Sequence, residues 1–163
     1  MDKSTQIREG EELDLAKLET YLKSHIEDWS GSLEVEQFPR GFSNLTYLIR
    51  NDNQQFVLRR PPFGANIKSG HDMSREYRIL SHLTGNYPKV PRPFVYCEDE
   101  SVIGATFYVM ERVQGVILRP KMPKDMHPAP EQMGKIAQGL IESFAELHEV
   151  DYQAVGLGDL GKP

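Results

Sequence analysis

The chain has 163 residues, of which 39% are hydrophobic and 26% are charged, an ordinary composition for one globular domain or one domain and part of another. Its net charge of −5 argues against a general nucleic-acid-binding protein, because such proteins neutralise phosphates with Lys and Arg. The single cysteine, Cys97, excludes an internal disulfide, and no apolar run approaches the roughly 20 residues of a membrane helix. We therefore expect a cytoplasmic protein that binds neither nucleic acid nor membrane.

The N-terminal region predicts one helix and a first strand. Apolar residues recur three or four positions apart, as is typical of an amphipathic helix, at Leu15, Leu18, Leu22 and Ile26. Asp14 can cap this helix and Gly31 ends the segment soon after Trp29. Residues 1–30 are therefore assigned to an N-terminal helical region, of which residues 1–12 are polar and lie outside the helix itself. The alternation of residues 33–38 then predicts a strand.

Two further strands follow, separated by a turn. Residues 46–50 are rich in β-forming side chains, and residues 51–53 carry a turn signal. The chain returns as a third strand over residues 55–60, which Pro61 ends because proline cannot donate a ladder hydrogen bond. Together with the strand over residues 33–38, these strands predict an antiparallel meander.

A helix and two more strands complete the predicted sheet. Residues 72–84 have an apolar face at helical spacing, formed by Met73, Tyr77, Leu80 and Leu83. Residues 94–96 predict a short strand, and residues 106–113 are the most strand-like run in the chain.

The last region combines a linker with a long helix. Residues 114–130 contain four of the eleven prolines and predict a linker. Residues 131–150 predict a helix with a broad apolar face that includes Ile141 and Phe144. Because nothing downstream would cover this face, we expect that residues 131–163 begin a further, helical lobe of a longer protein. The exposed face also predicts self-association of this chain.

A small polar turn, Gly41-Phe42-Ser43-Asn44, lies between the first two predicted strands of the meander. Glycine lets the backbone approach a ligand, and successive N–H groups can hold phosphate oxygens. The turn lacks the Gly-Lys-Ser/Thr ending of a P-loop. The alternative interpretation is a plain hairpin turn.

A permanent cation, Arg59, stands near the end of the third predicted strand. Strand alternation puts it on the same face as Val57, so an apolar contact and a phosphate contact can share one cleft. Arginine holds phosphate through a planar fork of N–H donors. The alternative is that Arg59 and Arg60 are both solvated charges at a strand end.

Four segments, in order, resemble one known family. They are Gly41-Phe42-Ser43-Asn44, Val57-Leu58-Arg59, Arg75-Glu76-Tyr77 and Phe107-Tyr108-Val109-Met110-Glu111. The chain is similar to the aminoglycoside phosphotransferase and choline kinase-like superfamily, especially the kinase-like domain of acyl-CoA dehydrogenase fusion proteins. The resemblance implies an α+β fold, with a protein-kinase-like small lobe over residues 31–113 (a five-stranded antiparallel sheet plus a helix) followed by the first helix of a helical lobe.

The same resemblance implies an ATP site. Gly41, Phe42, Ser43 and Asn44 would cover the phosphates, and Arg59 would replace the lysine that usually grips them. Glu76 would hold Arg59 in place. Val57 would pack on the adenine with Met110 behind it, and the backbone of Glu111 and Val113 would bond the adenine edge.

No residue of this chain is predicted to be catalytic or to bind metal. In the superfamily, a His-Gly-Asp-x-x-x-x-Asn loop and a later Asp supply the base and the Mg²⁺ ligands, and neither motif is present here. Asp159 follows a glycine but lies close to the last predicted helix. We therefore expect the ATP-binding lobe of an enzyme that transfers the γ-phosphate of ATP to a small-molecule hydroxyl, inactive alone. The alternative is a non-catalytic kinase-like module that binds a nucleotide or a protein.

Overall fold

A computed structural model describes residues 3–39, 43–64, 72–118 and 126–161. These ranges hold eight elements in the predicted order: α1 (Leu15–His25), β1 (Glu34–Gln37), β2 (Leu45–Arg50), β3 (Gln55–Arg60), α2 (Met73–Leu83), β4 (Pro93–Cys97), β5 (Phe107–Glu111) and α3 (Pro130–His148).

The strands form one antiparallel sheet in the order β1-β2-β3-β5-β4. The meander of the first three strands is confirmed, and β5 then pairs with β3 so that Tyr108 stands opposite Arg59. This register brings the predicted cation next to an aromatic residue that is 49 positions away in sequence. The α+β fold with a five-stranded antiparallel sheet is therefore confirmed.

Helix α1 covers one face of the sheet and forms the main core. Its fully buried Leu18 and Leu22 pack with Tyr47 and Ile49 from β2 and Leu58 from β3. Burial of side chains of this size stabilises a fold by about 1.5–3 kcal/mol each. One face of the sheet is therefore a dry apolar layer.

Helix α1 is shorter than the segment that the sequence assigned to it. The Asp14 carboxylate caps the helix by accepting a hydrogen bond from the Lys17 N–H at 3.1 Å, as predicted. The helix ends at His25, and Ile26 adopts an extended conformation with its side chain in the core. The chain then turns back so that Trp29 stacks on Phe56, with ring centroids 5.9 Å apart. Tertiary packing thus ends the helix before Gly31.

Helix α2 lies on the opposite face, beside β4 and β5. Tyr77 stacks on Tyr96 with ring centroids 5.6 Å apart and also contacts Tyr108. The Asp72 carboxylate caps the helix by accepting from the Arg75 N–H at 3.0 Å. This capped first turn carries Glu76 over the sheet.

Helix α3 has few contacts with the sheet within the described residues. The Tyr87 hydroxyl donates to the Ser143 carbonyl at 2.9 Å, and Lys89 forms an ion pair with Glu146. Its apolar face is exposed, with Ile141 69% and Phe144 59% accessible. None of the described helices is long and apolar enough to cross a membrane.

Candidate nucleotide-binding site

A cavity of about 460 Å³ opens on the face of the sheet that carries Arg59. Its size lies within the range of about 300–1,000 Å³ that is usual for small-molecule sites. Strand residues form one wall and the segment after β5 forms the other: Phe38, Thr46, Val57, Arg59, Arg112, Val113, Gln114, Gly115, Val116 and Ile117. The cavity thus combines an apolar surface with a cation, which suits a ligand with a flat apolar part and an anionic part.

Arg59 and Glu76 form a two-point ion pair at this cavity. The Arg59 Nε donates to Glu76 Oε2 at 2.9 Å, and its Nη2 donates to Oε1 at 3.2 Å. The predicted contact between the two side chains is therefore present. Both are partly accessible, at 28% and 32%. The fork has five N–H donors, and two of them bond the Glu76 carboxylate here.

Two further side chains bind the Glu76 carboxylate. The Asn44 amide donates to Oε1 at 2.8 Å, and the Tyr108 hydroxyl donates to Oε2 at 2.8 Å. Asn44 and Tyr108 are both buried, at 4% and 2% accessibility. Burial raises the pKa of the Tyr108 hydroxyl well above its ordinary value, so this group donates its proton throughout the physiological range.

The remaining predicted residues occupy different places. Val57 and Val113 line the cavity, whereas Met110 is half-buried opposite Val57 in the β3–β5 register. The Glu111 N–H donates to the Arg92 carbonyl at 2.7 Å. Ser43 is exposed. Gly41 and Phe42 lie outside the described residues.

The sequence interpretation missed Tyr108 as a site residue and missed the cavity wall after β5. Alternation along β5 puts Tyr108 and Met110 on one face of the sheet. Once the register with β3 is known, the same alternation places Tyr108 beside Arg59. Residues 114–117 were assigned only to a linker, because their composition carries no cavity-forming pattern. Thr46 and Phe38 line the cavity because β1 and β2 bring their ends there.

The described residues hold no cluster of three or more His, Cys, Asp or Glu side chains that could bind a metal ion. The Glu76 carboxylate is engaged with four donors and is not a candidate ligand.

Comparison with known proteins identifies the family. The model of the APH phosphotransferase enzyme family matches residues 34–163, which is most of the chain. This chain belongs to the phosphotransferase enzyme family. The match covers the five-stranded sheet, Arg59 and Glu76.

Individual relatives of this phosphotransferase-family chain agree with that assignment. It is 34% identical to acyl-CoA dehydrogenase family member 11 of Gallus gallus, over 98% of this chain and 21% of that protein. It is 37% identical to family member 10 of Mus musculus, over 89% of this chain and 14% of that protein. A crystal structure from Ralstonia eutropha, provisionally named an aminoglycoside phosphotransferase, is 38% identical with a TM-score of 0.75.

The chain spans only part of these relatives. It covers about a fifth of the length of the Gallus gallus protein and 43% of the Ralstonia eutropha chain, while 93% of this chain is matched in the latter. The predicted resemblance to the kinase-like domain of acyl-CoA dehydrogenase fusion proteins is confirmed.

Proposed function

We propose that this chain is the ATP-binding part of a small-molecule phosphotransferase, which transfers the γ-phosphate of ATP to a substrate hydroxyl in the whole protein. The observation that carries the proposal is the Arg59–Glu76 ion pair at the wall of a cavity of nucleotide size. Family membership supports the reaction class.

Each wall of the cavity has a role in this proposal. Val57 and the segment from Val113 to Ile117 would contact the adenine and ribose, because they supply its apolar surface. Arg59 would bind the α- and β-phosphates through N–H donors that do not bond Glu76. Glu76 would orient the fork, and the turn from Gly41 to Asn44 would cover the phosphates. ATP would supply the γ-phosphate that is transferred.

The acceptor site, the catalytic base and the Mg²⁺ ligands would come from other parts of the whole protein. No His-Gly-Asp loop occurs in this sequence, and the chain matches 43% of its structural relative's length. We therefore expect ATP binding without phosphate transfer by this chain alone, and a radiolabelled phosphate-transfer assay showing turnover would contradict that expectation.

Calorimetric titration with ATP, with and without Mg²⁺, tests the proposal. Arg59→Ala should raise the ATP Kd by about tenfold or more, because charge-assisted hydrogen bonds contribute about 1.5–3 kcal/mol. It should leave adenosine binding unchanged, since adenosine has no phosphate. Equal ATP affinity of Arg59→Ala and wild type would remove Arg59 from the site, and no ATP binding by wild type would refute the nucleotide proposal.

Arg50→Ala is the matched control for that titration. Arg50 lies at the far end of β2 and forms ion pairs with Glu34 and Glu36. Its loss removes the same charge and a similar arginine–glutamate contact from the same sheet, but away from the cavity. Arg50→Ala should therefore bind ATP like wild type.

The alternative is a non-catalytic module that keeps the fold to bind a nucleotide or a protein. Arginine at position 59, where related enzymes are expected to have lysine, favours it, because a planar fork cannot act as a compact point charge. Measurements of ATP binding and phosphate transfer on Arg59→Lys in the whole protein distinguish the two proposals. Retained or improved phosphate transfer supports the enzyme, whereas ATP binding without transfer by either form supports the module.

A further inference from the structure

The Glu76 carboxylate has no acceptor capacity left over. An ionised carboxylate offers about four lone-pair sites on its two oxygens. Here each oxygen accepts two hydrogen bonds: Oε1 accepts from Asn44 and Arg59, and Oε2 accepts from Tyr108 and Arg59. The hydrogen bonds from Asn44, Arg59 and Tyr108 therefore use all the acceptor sites of the Glu76 carboxylate.

The four donors come from separate parts of the sheet. Asn44 directly precedes β2, Arg59 is on β3, and Tyr108 is on β5. Asn44 and Tyr108 each lie 32 positions from Glu76 in sequence. One carboxylate on α2 thus joins three strands, and a shift of any strand would change the position of the Arg59 fork.

The side chains of Asn44 and Tyr108 have less conformational freedom than that of Arg59. Both are almost fully buried, and Tyr108 is fixed further by the ring of Tyr77 on α2, with centroids 6.3 Å apart. A buried donor without a partner is strongly unfavourable, so the Tyr108 hydroxyl keeps its bond to Glu76. Arg59 has four rotatable bonds and would otherwise exchange between orientations.

We propose that Asn44 and Tyr108 are positioning residues, which fix the Glu76 carboxylate and through it the orientation of the Arg59 guanidinium at the cavity. Both act on phosphate binding through the Glu76 carboxylate. The proposal deepens the proposed function and rests on it for the role of the cavity, whereas the restraint on Arg59 is a property of the protein without ligand.

The restraint can be measured without a nucleotide. In ¹⁵N NMR spectra, the Arg59 Nε–Hε signal, assigned by its loss in Arg59→Lys, should exchange slowly with water in wild type. Tyr108→Phe removes one of the four bonds and keeps the ring, so the Arg59 signal should broaden or exchange at least about tenfold faster. Unchanged exchange of Arg59 in Tyr108→Phe would overturn the proposal.

Tyr47→Phe is the matched control. Tyr47 is a fully buried tyrosine of the same sheet, and its hydroxyl donates to the Glu11 carbonyl at 2.8 Å on the opposite face. Its substitution removes a comparable hydrogen bond without reaching Glu76. Equal effects of Tyr47→Phe and Tyr108→Phe on the Arg59 signal would mean general loosening and would refute a specific role.

Nucleotide titration then tests the link to function. Tyr108→Phe and Asn44→Ala should each raise the ATP Kd by about threefold to tenfold and leave the adenosine Kd unchanged. In a Glu76→Ala background, Tyr108→Phe should have no further effect, because its path to Arg59 is gone. Equal weakening of ATP and adenosine, or additive effects with Glu76→Ala, would count against positioning.

These readouts keep the two proposals apart. Loosening of Arg59 in Tyr108→Phe, together with a wild type that does not bind ATP, would support the restraint and refute the nucleotide function. Normal ATP binding by wild type, together with an Arg59 signal that Tyr108→Phe does not change, would support the nucleotide function and refute the restraint on Arg59. Asn44→Ala provides a second NMR variant if Tyr108→Phe fails to fold.

Discussion

Arg59 and Arg60 are adjacent in sequence and occupy opposite faces of the sheet. Arg59 is partly accessible and binds a carboxylate at the cavity. Arg60 is 1% accessible and donates to the carbonyls of Ile103 at 2.9 Å and Pro61 at 3.0 Å. Its guanidinium also lies 3.7 Å from the centroid of the Phe63 ring.

The difference separates a candidate binding residue from a structural one. Burial lowers the pKa of Arg60, and its side-chain hydrogen bonds go to neutral carbonyls, as expected of a group that supports the fold. Arg59 bonds a carboxylate and lines the cavity. The sheet therefore has a supporting face under α1 and a candidate binding face under α2.

The largest expected effect is on the supporting face. Arg60→Ala leaves the buried Ile103 carbonyl and the partly buried Pro61 carbonyl without their donor and creates a void. We therefore expect it to lower the free energy of unfolding by about 3 kcal/mol. Arg59→Ala should lower it by less than about 1 kcal/mol, because the Arg59–Glu76 pair is partly solvated. Urea denaturation monitored by circular dichroism measures both.

Arg60→Met separates packing from hydrogen bonding in that experiment. It keeps much of the apolar stem and should fall between wild type and Arg60→Ala in stability. Similar losses in the free energy of unfolding for Arg59→Ala and Arg60→Ala would contradict the distinction between a supporting face and a candidate binding face.

A smaller effect is expected at the helix caps on the two faces. Asp72→Ala removes the cap of α2 and should destabilise the fold by about 1 kcal/mol. Because the first turn of α2 carries Glu76, this substitution should also raise the ATP Kd. Asp14→Ala removes the corresponding cap of α1 and should weaken stability without changing ATP affinity. An equal change of ATP affinity in both variants would show that the first turn of α2 has no special link to the site.

The Asp72 cap should also depend on pH. Hydrogen bonds from the Ser74 hydroxyl and then the Arg75 N–H hold the pKa of Asp72 below its ordinary value of 3.8. The cap therefore contributes its full stability above pH 3.8 and loses the charge-dependent part as the pH falls through the lowered pKa. The difference in free energy of unfolding between wild type and Asp72→Ala should decrease as the pH falls over that range. A difference that does not change with pH would contradict this prediction.

The weakest expected effect concerns α3, whose apolar stripe is exposed whereas that of α1 is buried. Leu18 and Leu22 are fully buried, whereas Ile141 and Phe144 are 69% and 59% accessible. We predict concentration-dependent self-association of this chain, measured by sedimentation velocity. Phe144→Asp should reduce it, while Leu15→Asp, at an exposed position on α1, should not. A single monomer species at all concentrations would contradict the prediction.

Local patterns in the sequence were sufficient for the element order and the fold class. The alternation in β3 put Val57 and Arg59 on one face, and the helical spacing of residues 72–84 placed Glu76 on a helix. That Glu76 reaches Arg59 was implied only by the family resemblance. These patterns follow from the two-residue repeat of a strand and the 3.6-residue repeat of a helix, which need no knowledge of distant residues. They did not show where α1 ends, since Trp29 leaves the helix to stack on Phe56.

By itself, the sequence determined which segments are helices and strands, that Arg59 is a cation at a strand end, and which family the chain resembles. Only the tertiary structure decided that Asn44 and Tyr108 meet at Glu76, that residues after β5 close the cavity, and that Arg60 is buried. These features depend on strand register and on packing between residues tens of positions apart. No local repeat encodes such contacts, because their free energy is realised only when the whole sheet has formed.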